Sequence, residues 1–96
     1  MNLEDYVLPV FGQFVHVSRK LVRTIYGTER YWKETPYLGH GVFLGVRHIT
    51  NGVTYGTHGR LAQYLSYKSI ERFPVALVSP GPDENPIYVP LSAIQI

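Results

Sequence analysis

The chain has no cysteine, which excludes a disulfide framework, thiolate zinc sites and cysteine nucleophiles in one step. It has no apolar run approaching the roughly 20 residues that a membrane-spanning helix needs, and its start, Met1-Asn2-Leu3-Glu4-Asp5, is acidic rather than basic. That pattern predicts neither a signal peptide nor a membrane partner, so a reducing, cytoplasmic location is the expectation. Charge is also sparse. Only 17% of residues are charged, and the formal net charge is +2, too little for a polybasic or acidic tail. A hydrophobic fraction of 45% rules against a disordered chain, which needs low hydrophobicity and high net charge.

What the chain does have is aromatic bulk and frequent punctuation. Eight Tyr, four Phe and one Trp supply large side chains to a protein too short for two cores, so residues 1–96 read as one domain. Nine Gly and seven Pro cut the sequence into short pieces rich in Val, Ile, Tyr, Phe and Thr, which is strand composition.

Gly12-Gln13-Phe14-Val15-His16-Val17 alternates and predicts a first strand. Ser18 to Pro36 shows neither helical nor strict strand periodicity and reads as a long loop or hairpin. From Gly39 to Ile49, Val42, Leu44 and Val46 are expected on one face, with Phe43, Arg47 and Ile49 on the other. Asn51-Gly52 fits the central positions of a type I′ turn and predicts a hairpin joining the strand before it to Val53-Thr54-Tyr55. Residues 60–70 match helix and strand equally. Val75-Ala76-Leu77-Val78 reads as a buried strand, stopped by the proline-rich turn at 79–86. Ile87-Tyr88-Val89 is a further strand, Pro90-Leu91-Ser92-Ala93 a single turn of helix, and Ile94-Gln95-Ile96 a last strand. The fold class is therefore all-β with one short helix: five or six short strands curled into a small, partly closed barrel that protects its edges.

Three stretches resemble an SH3-like small barrel of the bacterial or phage kind. They are Gly12-Gln-Phe-Val-His-Val, the glycine-punctuated Gly41-Val-Phe-Leu-Gly-Val-Arg with Asn51-Gly52, and Ile87-Tyr-Val-Pro-Leu-Ser-Ala-Ile-Gln-Ile. The resemblance implies that the last is a strand, one 3₁₀ turn and a closing strand. The acidic loop and groove tyrosines of eukaryotic signalling SH3 domains have no counterpart here, so proline-rich peptide binding is not implied. The chain is also similar to small phage-encoded proteins, including inhibitors of host defence.

No pattern carries catalysis. His16, His40, His48 and His58 form no i, i+2 or i, i+4 pair, so structural or surface roles are expected, with no metal and no cofactor. Ser66, His58 and Glu71 could supply the residue types of a triad but lack a nucleophile elbow. The glycine loops at Gly39-His40-Gly41 and Gly56-Thr57-His58-Gly59 match no phosphate-binding fingerprint.

The informative stretch is basic and aromatic. Between Gly12 and Lys33 the net charge is +4, leaving −2 for the rest of the chain. Arg19, Lys20, Arg23, Arg30 and Lys33 interleave with Tyr26, Tyr31 and Trp32, and Tyr37 follows. Trp32 is the ring expected in the core. Arg, Tyr and Trp are enriched at protein-binding hot spots, so these nine residues form the candidate binding site. The expected function is a non-enzymatic protein-binding module, an inhibitor or an assembly component, that could also pair with itself as a homodimer. The alternative is single-stranded nucleic acid or RNA binding by the same segment, with cations on phosphates and rings stacking on bases.

Overall fold

A computed structural model describes residues 6–55 and 66–96. It contains five strands: β1 (Phe14–Tyr26), β2 (Glu29–Tyr55), β3 (Ser66–Ser79), β4 (Ile87–Val89) and β5 (Ile94–Gln95), with a 3₁₀ turn over Leu91–Ala93 before the last. All pairings are antiparallel. The sheet order is β2-β3-β4-β1-β5, and β1 also pairs with β2, so four strands form a partly closed ring. The expected small all-β, partly closed barrel is what the chain forms. The β4, 3₁₀ and β5 ending falls on the residues that the sequence pattern gives for it.

Several short pieces fuse into long strands. The stretch from Ser18 to Pro36 is the hairpin of its two readings, not a loop: β1 and β2 pair in register from Arg19↔Pro36 to Tyr26↔Glu29. Gly27-Thr28 closes it. Gly27 has φ +60° and Thr28 does not have a positive φ, as a type II′ turn requires at its two central positions.

The Asn51-Gly52 turn expectation is overturned, because both residues lie inside β2. Asn51 pairs with Glu71 and Gly52 with Ser69, so Ile70 bulges from β3 between them. A Cβ on Gly52 would collide with the Lys68 carbonyl oxygen and lie 2.6 Å from the Tyr67 ring. The glycine thus serves close strand approach, a different use of the same residue. The alternation expected over Gly39 to Ile49 also breaks. Phe43 pairs with Val78 and Gly45 with Leu77, leaving Leu44 as the extra residue. Phe43 and Val46 consequently face one cluster and Ile49 another. Residues 56–65, which include His58 and most of the segment matching both helix and strand, lie outside the described residues; Ser66 to Ile70 is strand.

Two apolar clusters hold the sheet. Val15, Val17, Phe43, Ala76, Val78, Val89, Leu91 and Ala93 form the first. Leu21, Ile49 and Val75, backed by Trp32, Phe73 and Tyr88, form the second. Neighbouring residues of β3, Val75 and Ala76, go to different clusters, as do Tyr88 and Val89 of β4. Successive side chains point to opposite faces of a strand, so both faces of this region are covered. Burying a valine contributes about 1.5–3 kcal/mol, and Val15, Val75, Val78 and Val89 are fully buried.

The 27 residues of β2 would span roughly 90 Å if straight, against a longest dimension of 48 Å for the protein. The strand must therefore bend, and bulges supply the bends. One lies where Ser18 opposes both Tyr37 and Leu38, another at Leu44. The two ends of β2 consequently meet. Thr54 N–H donates to the Thr28 carbonyl at 2.7 Å, and Trp32 N–H donates to Asn51 Oδ1 at 2.9 Å. Asn51 Nδ2 in turn donates to Glu71 Oε1 at 2.9 Å.

Asn51→Ala removes the acceptor for a half-buried main-chain amide, whose unmet desolvation costs about 1–3 kcal/mol. The expected result is a lower urea midpoint with an unchanged m-value. A midpoint within error of wild type would show that the carboxamide does not hold the ends of β2 together.

Candidate protein-binding surface

The hairpin made by β1 and the start of β2 carries all nine residues singled out from sequence, but pairing divides them between two faces. Residues opposite each other in antiparallel strands share a face. Leu21, Arg23, Ile25, Arg30, Trp32 and Glu34 therefore lie on one side, and Lys20, Val22, Thr24, Tyr26, Glu29, Tyr31 and Lys33 on the other. The nine do not converge on one point.

Five of them are engaged within the chain. Arg19 donates from Nη1 to Glu34 Oε1 and from Nη2 to Ser92 Oγ, both at 2.9 Å, tying the hairpin to the 3₁₀ turn. Lys20 Nζ sits 5.1 Å from the centre of the Tyr37 ring, and Tyr37 packs on the first cluster. Arg30 Nη1 donates to the carbonyls of Gly27 and Glu29 at 2.8 and 3.0 Å, bracing the turn. Trp32 meets Tyr88 edge to face, with centroids 5.1 Å apart, and backs the second cluster. Its expected core role is met in part, since the ring is half-buried.

The other four are Arg23, Tyr26, Tyr31 and Lys33, and no hydrogen bond or ion pair engages their side chains among the described residues. Tyr26 is 74% exposed. Arg23, Arg30, Tyr31 and Trp32 line a cleft of about 210 Å³, closed on its far side by Ile49, Thr50 and Tyr67. Tyr67 is held there by a 2.8 Å hydrogen bond with Thr50.

Two exposed apolar residues on opposite faces of the hairpin, Val22 and the 63% exposed Ile25, were not picked out from sequence. They flank an open edge. A two-residue hairpin loop makes Tyr26 and Glu29 a hydrogen-bonded pair, and such pairs alternate with non-bonded ones. Thr24 and Val22 thus bond inward to β2, while the main-chain groups of Ile25, Arg23 and Leu21 point outward. Leu21 meets Tyr88 of β4 on that side. Beyond it, no strand pairs with the outer edge of residues 22–26 among the described residues.

Among the described residues no three His, Cys, Asp or Glu are grouped to hold a metal, and no helix is long and apolar enough to cross a membrane. Of the triad types considered from sequence, Ser66 and Glu71 lie on β3, and His58 is outside the described residues. No protein-family model, curated protein or solved structure matches the chain.

Glu34 and Arg19 form an ion pair whose side chains are 49% and 39% exposed. Exposed pairs contribute about 0–1 kcal/mol, so Glu34→Gln is expected to leave thermal stability nearly unchanged. Trp32→Ala removes an aromatic packed on the second cluster and is expected to cost about 3 kcal/mol. Thermal melts of both variants check the ordering; equal losses would contradict it.

Proposed function

We propose that the chain is a non-enzymatic protein-binding module whose contact surface is the outer edge of β1 from Val22 to Tyr26. It takes an extended segment of a partner protein by strand addition, in which main-chain hydrogen bonds give affinity and flanking side chains give selectivity. The observation that carries this reading is the open edge itself. Natural edges are usually blunted by charge, proline or covering segments. This one presents Val22, Ile25 and Tyr26 to solvent, with Arg23 as its one charge. Arg23 and nearby Lys33 favour an acidic residue in the partner, and the cleft beside Arg23 offers Tyr67 as a contact ring.

Nucleic-acid binding by the same hairpin is the competing reading, and side-chain placement supports it less. Arg19 and Arg30 bond within the protein, Lys20 lies on Tyr37, and Trp32 packs on Tyr88. Arg23 and Lys33 remain, and two cations release few counterions.

Ile25→Pro removes an outward N–H without breaking a β1–β2 hydrogen bond, and proline is tolerated on edges. The test is a displayed library of extended peptides selected on the immobilised protein. Acidic and aliphatic sequences should be enriched. Their affinity should fall at least tenfold with Ile25→Pro and with the triple change Arg23→Glu, Ile25→Ser, Tyr26→Ala, while circular dichroism stays that of a sheet. Unchanged affinity in both variants would sink the proposal, as would enrichment of nucleic acid with a steep salt dependence. Light scattering distinguishes an edge-to-edge homodimer, which the proline would dissociate.

A further inference from the structure

Toward the start of β1, six residues before that edge begins at Val22, the sheet brings together two histidines that are 24 positions apart in sequence. His16 and His40 are register partners across β1 and β2, and their ring centroids lie 6.5 Å apart. Gln95 of β5 is the register partner of His16 on its other side. His40, His16 and Gln95 therefore form a row across three adjacent strands. All three line one cavity of about 710 Å³, together with Leu38, Ser18 and Ser92. Phe14 closes one side of the pair, its centroid 5.0 Å from that of His40 and 5.6 Å from that of His16.

We infer that this row is a binding site for a divalent transition-metal cation of the zinc, nickel or copper class. Such a cation held by one nitrogen of each ring at about 2.0–2.1 Å places the two centroids roughly 4.5–5.5 Å apart, so the observed 6.5 Å must close by about 1 Å on binding. Neither imidazole makes a hydrogen bond among the described residues and both side chains are exposed, so a change at χ1 can bring the rings together. The sheet does the ordering in advance. Cross-strand Cβ atoms lie about 4.5–5.5 Å apart, which lets chelation proceed with little loss of backbone freedom. The Gln95 amide oxygen is the third donor, and water takes the remaining position.

Imidazole favours zinc, copper and nickel, whereas magnesium and calcium require carboxylate and carbonyl oxygens. Among the described residues no carboxylate lines this cavity, so the site selects the first group. It stands independently of the strand-addition surface, since neither set of residues contributes to the other.

The test is calorimetric titration of the whole chain with zinc chloride and nickel chloride, with magnesium chloride alongside. One cation per chain is expected for zinc and nickel, and none for magnesium. His16→Ala and His40→Ala should each weaken binding at least tenfold, Gln95→Ala should weaken it severalfold, and His48→Ala should leave it unchanged. Both histidines are exposed, so the variants should keep the fold. Should one of them not fold, substoichiometric nickel added to the wild type gives a second readout. It should broaden the imidazole resonances of His16 and His40 and spare those of His48. No uptake of zinc or nickel would overturn the inference. So would undiminished binding in the double variant, one cation per two chains, or broadening centred on His48.

Discussion

Asn51 places its carboxamide between the main-chain amide of Trp32 and the carboxylate of Glu71, and that contact ties the two ends of the bent β2 together. The need for it comes from hydrogen-bond direction. Trp32 sits opposite Arg23 in a non-bonded pair of the hairpin, so its N–H points away from β1 toward the outer edge of β2. A half-buried amide left there without an acceptor would be costly. The chain meets it with a side chain of the same strand, 19 residues on. Thr54 N–H on the Thr28 carbonyl repeats the arrangement nearer the turn. One strand thereby supplies two sides of the ring.

This closure explains how so short a chain buries both faces of part of its sheet. The bent β2 brings Trp32 against Tyr88, Leu21 and Val75, while Phe43 on the same strand packs in the other cluster. Adjacent residues of β3 and β4 can then be apolar without leaving one of them in water. The cost is compactness. A chain of this length packed as a globule has a radius of gyration of about 12–13 Å, against 15.6 Å here. The excess reflects strands that run past the shared core. At those extensions exposed apolar side chains accumulate, Ile25 and Tyr26 at one end and Phe14 at the other.

The parts legible in sequence were those decided locally. The proline-bounded turn, the Ile87–Val89 strand, the 3₁₀ turn and the last strand depend on residues within a few positions of each other, and the structure follows the pattern. The buried run at Val75–Val78 was likewise plain. Asn51-Gly52 misled because its turn propensity is real but weaker than what tertiary structure offers both residues: two hydrogen bonds for the carboxamide and a close strand crossing for the glycine. The true turn, Gly27-Thr28, was obscured because the flanking strands carry charge on both faces and so lack clean alternation. Alternation itself failed wherever a bulge inserted a residue, as at Leu44. The candidate site was half legible. Composition picked out the hairpin, but which cations are free and which are structural depends on partners far away in sequence, such as Ser92 for Arg19. The His16–His40 pair had no sequence signal at all, since its spacing is set by strand register.

The division of the basic residues bears on why the hairpin is suited to recognition. An edge that binds an extended segment must not rearrange when it does so, because ordering a mobile arm would consume much of the affinity gained. Arg30 braces the turn through the carbonyls of Gly27 and Glu29, and Arg19 anchors the base to the 3₁₀ turn. Trp32 fixes the middle against Tyr88. With base, middle and tip held by three of the residues that composition marked as binding, Arg23 and Lys33 are left without hydrogen-bond or ion-pair partners among the described residues, beside an edge already in strand geometry. The basic character of the segment thus serves two ends: some cations build a rigid arm, and the remainder give that arm its charge.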